Sequence, residues 1–278
     1  MVIRFTETDN IINICYDNVF KAVFTKDNPL SRGALERLIS CLVGQDLSVI
    51  AITSNEPPID DMRDRQIRFD INCRSTTGEP VNIEMTMYPD NFEPVRLEYY
   101  SGKLFTSQDI RGQNKTFNDL RSSYQITFLV TESFFNDDEI VHTFEYYDQK
   151  NKVTLGGRSR IITIELNKLD KIVDKPVEEM TTAEHWSVFL RYITDTTKRQ
   201  KINKILEMEE GIAMASEVLM TISKDDVERA RLMSEYKFVT DHQSQLVQTE
   251  RKMRKEFLDL LKSGKSAEEM MKMYDEEN

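Results

Sequence analysis

The sequence predicts an α/β fold in which a mixed sheet is flanked by helices and followed by an all-helical C-terminal domain. Three observations carry that prediction. Strand-period and helix-period segments alternate through roughly the first 170 residues, with most of the Phe and Tyr there. After about Asp170 the chain turns almost wholly helical in pattern, Met-rich and nearly free of Gly and Pro, with Pro176 ending whatever precedes it. Finally, 278 residues with 39% hydrophobic and 31% charged side chains suit a globular chain of one large domain or two modest ones.

In order, Asp17 to Phe24 is apolar at Val19, Phe20, Val23 and Phe24, a short amphipathic helix. Ser31 to Val43 repeats Leu35, Leu38, Ile39 and Leu42 at helical spacing, with Ser31 as N-cap and Gly44 as stop. Leu47 to Thr53 is a β-branched run, closed by Pro57-Pro58. A hairpin follows at 68–87. Glu93 to Gln108 reads as a helix, and Gly112 interrupts the chain beyond it. Tyr124 to Val130 is a continuous apolar run typical of a buried strand, and Val141–Tyr147 and Arg160–Glu165 are two more strands. The C-terminal part offers helices at Ala183–Thr194, Thr197–Met214 and Lys224–Leu261, then a short one opening at Ser266.

Charge and composition exclude several functions. The net charge is −11, which argues against a generically basic nucleic-acid coat and against anionic membrane surfaces. It is uneven: residues 1–150 hold 15 Lys/Arg against 24 Asp/Glu, which leaves −2 for the remainder. Cys15, Cys41 and Cys73 sit in apolar patterns without CxxC spacing and read as free thiols of a reducing cytosol. No apolar run approaches the roughly 18 residues a membrane span needs, so the expectation is a cytoplasmic protein with no membrane partner.

The hairpin is where chemistry concentrates. From Gln66 to Met87 apolar residues hold the odd positions (Ile67, Phe69, Ile71, Cys73, then Val81, Ile83, Met85, Met87). Polar ones hold most even positions. Thr76-Thr77-Gly78 between them is a three-residue loop with Gly where a G1 bulge needs positive φ. That loop sets Asn72 opposite Asn82, Asp70 opposite Glu84 and Arg68 opposite Thr86. Two carboxylates would then face each other about 5 Å apart at Cβ, a destabilising pair unless offset. A divalent cation such as Mg²⁺ or Mn²⁺, held also by a backbone carbonyl and water, would offset it. So would neighbours such as Arg68 on a solvated hairpin, and spacing alone leaves both open.

These segments resemble those of the recombination-promoting nucleases (the Rpn group), also described as PD-(D/E)XK nuclease family transposases. The matching stretches are DNVFKAVF from Asp17, RFDINC from Arg68, NIEM from Asn82, RLEYYSGKLFTSQ from Arg96, LRSSYQITFL from Leu120 and LLKSGKSAEEM from Leu260. The resemblance covers nearly the whole chain. It implies a restriction-endonuclease-like domain over 1–170, a helical domain over 171–278, and a metal-dependent DNA endonuclease acting in recombination. By the same resemblance Asp70 and Glu84, helped by the Met85 carbonyl, would bind Mg²⁺ or Mn²⁺. The family carries Gln or Lys two residues after the Glu, and here that place holds Thr86, whose hydroxyl is shorter and uncharged. Arg68, or Lys103 on the helix that also carries Arg96 and Tyr100, would then have to substitute. Otherwise catalysis is impaired and the protein acts by binding DNA or a protein partner.

Taken together, the catalytic candidates are Asp70, Glu84, Thr86 and Lys103, with DNA contacts from Lys21, Arg68, Arg96, Tyr100 and Arg111. A homodimer through the C-terminal helices is a further expectation, with 224–261 as its pairing surface. His142, His185 and His242 are scattered and lack zinc spacing, so they read as core or surface residues. Gly156-Gly157 reads as a turn, and the Asp60, Asp61 and Asp64 cluster as solvated. Basic clusters at Lys198–Lys204 and Arg251–Lys255 read as solvated helix faces with phosphate contact as the alternative.

Overall fold

The computed structural model describes residues 3–53, 69–89, 91–110, 114–238, 240 and 254–255. Arg68, Arg111, Gly112, His242, the 60–64 acidic cluster, Arg251-Lys252 and the helix expected at Ser266 lie outside the described residues. The chain divides into two compact units, residues 1–229 and 230–278. In the second, residues 230–238 and 240 are helical.

The first unit opens with α1 (Asp17–Thr25), which buries the four apolar residues that predicted it. α2 (Pro29–Val43) ends at Gly44 in the left-handed conformation, φ 76°. Its cap is Asn28 rather than Ser31: the Asn28 side chain accepts from the Ser31 amide, and Pro29 occupies the first helical position, where a missing N–H costs nothing. Strands β1 (Val49–Ile52), β2 (Ile71–Ser75) and β3 (Pro80–Thr86) follow, then α3 (Glu93–Thr106) and β4 (Ser123–Leu129). The strand expected over 141–147 stops early. β5 is Val141–Phe144, and Tyr147–Asp148 (β6) pairs instead with Val153–Thr154 (β7) in a separate small hairpin, before β8 (Ser159–Glu165).

Six strands form one mixed sheet in the order β1-β2-β3-β4-β8-β5. The central β3, β4 and β8 are parallel, while β2 and β5 flank them antiparallel. Paired residues share a face, so the register divides the sheet chemically. One face carries Ile83, Met85, Ile126, Phe128, Ile162 and Ile164, all buried, and receives α1 through the Phe20–Phe128 ring contact at 5.9 Å. The other carries Asn82, Glu84 and Thr86, then Gln125 and Thr127, then Thr163 and Glu165, with His142 opposite Thr163 on β5. These too are buried or nearly so, beneath α3, whose Ser101 hydroxyl meets Ser159 at 2.9 Å.

Helices α4 (Thr182–Tyr192), α5 (Arg199–Met208) and α6 (Glu210–Lys224) complete the first unit. The single helix expected over 197–214 is therefore two, broken at Glu209, whose backbone is extended at φ −118° and ψ 98°. Side-chain anchoring holds the break: a Glu209 carboxylate oxygen accepts from Thr182 Oγ1 at 3.0 Å and lies 2.8 Å from His185 Nδ1. α6 then starts against α2 so closely that a Cβ at Gly211 would come within 2.4 Å of Arg37 Cβ and 3.1 Å of Trp186. Cys15 and Cys73 are buried and Cys41 half-buried, all three as free thiols.

That contact sets a test. Gly211→Ala should lower stability by about 1–3 kcal/mol, since neither the Arg37 Cβ nor the Trp186 ring can yield cheaply. Gly102→Ala, in α3 with nothing within 4 Å of its Cβ, should instead gain about 0.5–1 kcal/mol. Thermal melts of the two variants beside the wild type distinguish a helix crossing from a general intolerance of alanine.

Candidate functional site

The β2–β3 hairpin closes as its loop chemistry dictates. Gly78 adopts φ 96°, its amide donates to Ser75 O at 3.1 Å, and the Ser75 amide donates to Glu79 O at 3.0 Å. Asn72 pairs with Asn82 and Ile71 with Ile83. One step beyond, Asp70 and Glu84 each accept a backbone N–H from the opposite side. The Asp70 amide donates to Glu84 Oε1 at 3.2 Å, and the Met85 amide donates to Asp70 Oδ2 at 3.0 Å. The carboxylates thus replace ladder hydrogen bonds at the end of β2, which locks both against the sheet.

Glu84 is only 6% exposed. Burial, and next the charge of Asp70, push its carboxyl up to about 8, against partial relief from the Asn82 side chain, the Asp70 amide and Arg96. Near neutral pH one proton can therefore remain on the pair. Asp70 has a cation of its own: Lys21 Nζ on α1 lies 2.8 Å from Asp70 Oδ1 and 3.7 Å from Asp17. Lys21 stands where a metal ion's charge would be felt.

A buried polar chain supports Glu84 from the sheet side. Asn82 Nδ2 donates to Glu84 Oε1 and to Gln125 Oε1, both at 2.8 Å, and Gln125 Nε2 donates to Thr127 Oγ1 at 3.2 Å. Sequence reasoning missed Gln125 because YQITFLV reads as an apolar run. The signal was present in Gln125 and Thr127 at alternate positions.

Thr86 is enclosed by the first turn of α3. Its hydroxyl donates to Glu93 Oε1 at 3.4 Å and accepts from Arg96 Nη2 at 3.0 Å, while Arg96 Nη2 pairs with Glu93 Oε1 at 2.7 Å. Glu93 is 1% exposed, a buried acid that the sequence offered only as a helix start. The Arg96 guanidinium lies 5.7 Å from the centroid of the Tyr100 ring, which meets Phe69, next to Asp70, edge-on at 5.5 Å. The fold thus gathers Lys21, Asp70, Glu84, Met85, Thr86, Arg96 and Tyr100. Lys103, on the same helix, carries its ammonium 5.9 Å over the exposed Tyr99 ring.

A second cluster lies on the same face, toward the β8–β5 edge of the sheet. Ligand atoms of Asp137, His142 and Glu165 fall within 4.8 Å of one another, a set that could hold a metal ion. His142, read from sequence as an isolated histidine, lies 3.0 Å from Asp137 Oδ2, under the Phe135 ring at 4.4 Å. Lys168 already supplies a cation there, 2.5 Å from Glu165 Oε2 and 2.9 Å from Asp137 Oδ1. Hydrogen bonds from Lys168 and His142 pull the Asp137 carboxyl down to about 2. The cluster also ties the preceding loop down, since the Phe134 amide donates to Glu165 Oε1 at 2.6 Å.

The fold is thus an α/β one, a mixed sheet flanked by helices with two carboxylates brought together at its β2–β3 hairpin. The profile of the PD-(D/E)XK nuclease family transposases matches residues 14–250, and the chain belongs to that family. No curated protein and no solved structure gives a significant match.

Two expectations follow. Because the Glu84 carboxyl titrates higher when folded than its ordinary 4.5, its contribution to stability is fully present below that value. It is lost as pH rises through about 8. In EDTA the wild type should therefore melt at lower temperature at about pH 9 than at about pH 6, and Glu84→Gln should flatten that difference. Lys21→Ala should raise Mn²⁺ affinity several-fold in titration calorimetry, because the ion no longer competes with an ammonium for Asp70.

Proposed function

We propose that the protein is a metal-dependent DNA endonuclease of the recombination-promoting nuclease and transposase group. Asp70 and Glu84, with the Met85 carbonyl, would hold Mg²⁺ or Mn²⁺. The observation that carries the reading is the carboxylate pair itself: two facing acids, one of them raised by burial and next by the other's charge, with a lysine supplying compensation. Two hard oxygen donors on rigid strands suit a hard divalent ion. When bound, such an ion supplies Lewis acidity, lowering the pKa of water and offsetting charge on a phosphodiester.

The chain's own groups would divide the remaining work. The Asn82–Gln125–Thr127 chain holds Glu84 in one orientation, so that its oxygens stay aimed at the metal position. The Met85 amide does the same for Asp70. Lys21, which pairs with Asp70, would be the nearest ammonium for a phosphate oxygen if a divalent ion supplied the counter-charge of Asp70. Arg96 and Tyr100, with Arg68 and Arg111, complete the proposed DNA contacts. In a chain of net charge −11, these contacts should be weak and steeply salt-dependent.

The portion over 1–170 is proposed as the nuclease-like domain and the helices over 171–278 as the helical one, which would also form any homodimer. Among the described residues no helix is long and apolar enough to cross a membrane.

A second reading has its own support. Thr86 stands where the family carries Gln or Lys, and its hydroxyl is already engaged by Glu93 and Arg96. A nuclease-fold protein of impaired activity, acting by binding DNA or a protein partner, would tolerate that. Nicking of supercoiled plasmid with Mg²⁺ or Mn²⁺ separates the readings. The endonuclease reading expects nicking by wild type and its loss in Asp70→Ala, by about 100-fold or more. An inert wild type with an active Thr86→Gln would favour the impaired reading. Inert proteins throughout, with no metal binding, would end the enzymatic one.

A further inference from the structure

We propose that Arg96 is the cation of the phosphate site, supplying from α3 the positive charge that Thr86 lacks at the third motif position; this rests on the endonuclease reading. The sequence pointed to Arg68 or Lys103 for that task. Geometry favours Arg96, because it alone among the described cations hydrogen-bonds the Thr86 side chain.

Thr86 is the last residue of β3, two beyond Glu84 on the same face of the sheet. A lysine there would extend its ammonium beside the carboxylates. Arg96 reaches the same position from the opposite direction, with Nη2 at 3.0 Å from Thr86 Oγ1. Three contacts fix it: the Thr86 hydroxyl, the Glu93 carboxylate and the face of Tyr100. Glu93 is nearly inaccessible, its side chain 2% exposed, whereas that of Arg96 remains 41% exposed. The carboxylate thus acts from behind as an anchor, and the guanidinium opens outward. Both hydrogen bonds use Nη2, so among the described residues Nε–H and Nη1–H remain for an incoming acceptor.

A guanidinium presents paired donors to two oxygens of one phosphate and stays charged at any working pH. Held in place beforehand, it stabilises the charge that builds on the phosphoryl oxygens during hydrolysis without reorganising. Thr86 then serves as a short post on which Arg96 rests. Glu93 is a positioning residue, acting only through Arg96.

The test uses the full-length protein with Arg96→Ala, Arg96→Lys, Arg96→Gln and Glu93→Gln. Plasmid nicking in Mn²⁺ reads catalysis, and fluorescence anisotropy of a short duplex in Ca²⁺ at several salt concentrations reads phosphate contact. Arg96→Ala should slow nicking by about 100-fold, and reduce the salt slope of duplex binding by about 1. Mn²⁺ affinity should stay near that of wild type. Arg96→Lys should keep the salt slope but recover only part of the rate, because a point charge lacks the fork. Glu93→Gln should lower the rate less than Arg96→Ala. Arg96→Gln, which can still bond Thr86 and Glu93, separates loss of charge from loss of fold: a normal melt with slow nicking supports the proposal. Nicking and salt slope within twofold of wild type in a folded Arg96→Ala would overturn it. A wild type that does not nick would overturn the endonuclease reading instead, and the duplex-binding arm would still decide whether Arg96 contacts phosphate.

Discussion

The repulsion between Asp70 and Glu84 is the constraint around which this molecule is arranged. Two acids at facing positions of a hairpin, one of them almost sealed from water, would be among the costliest features of a small sheet if left alone. Each neighbouring group reduces that cost in a different way. Backbone amides from Asp70 and Met85 are donated to the acids, Asn82 adds a side-chain donor, Lys21 arrives from α1, and a proton can remain on Glu84. Such compensation is cheaper than removing the acids only if something else profits from having them there. Cation binding is the use proposed for them.

The same logic explains the sheet's unusual division into an apolar and a polar buried face. A parallel strand in the middle of an α/β sheet is ordinarily apolar on both sides. Here β3, β4 and β8 bury Asn82, Gln125, Thr127 and Thr163 beneath α3. Of these, the Asn82 and Gln125 amides and the Thr127 hydroxyl bond in series and form a support running from Glu84 into the sheet. The arrangement fixes the carboxylate without adding charge, which a lysine or arginine in that layer would do.

Much of the fold was legible, and the reasons differ by element. The hairpin register followed from a three-residue loop ending in Gly and from strict alternation, so Asp70 opposite Glu84 could be read directly. Helices α1 and α2 followed from apolar spacing, although the cap slipped from Ser31 to Asn28 because two competent capping residues stand three apart. The break at Glu209 could not be read, because it depends on Thr182 and His185 from another helix. The surroundings of Thr86 were equally hidden: Glu93 and Arg96 look like an ordinary i, i+3 surface pair until β3 is laid beneath them. The neighbours of His142 were hidden for the same reason, since Asp137 and Glu165 join it only through loop and strand pairing. Local chemistry was legible, and convergence across elements was not.

The gathering of Asp70, Glu84, Thr86, Glu93 and Arg96 within one continuous stretch has a consequence for how the chain acquires its structure. A hairpin and the helix that follows it close small loops, which cost little chain entropy, so these groups can meet early and quickly. Lys21 and Gln125 must come from distant positions and join afterwards. A nascent chain would thus hold its two acids together before their compensating lysine is in place. Until that lysine arrives, ions in the surrounding medium are the counter-charge within reach.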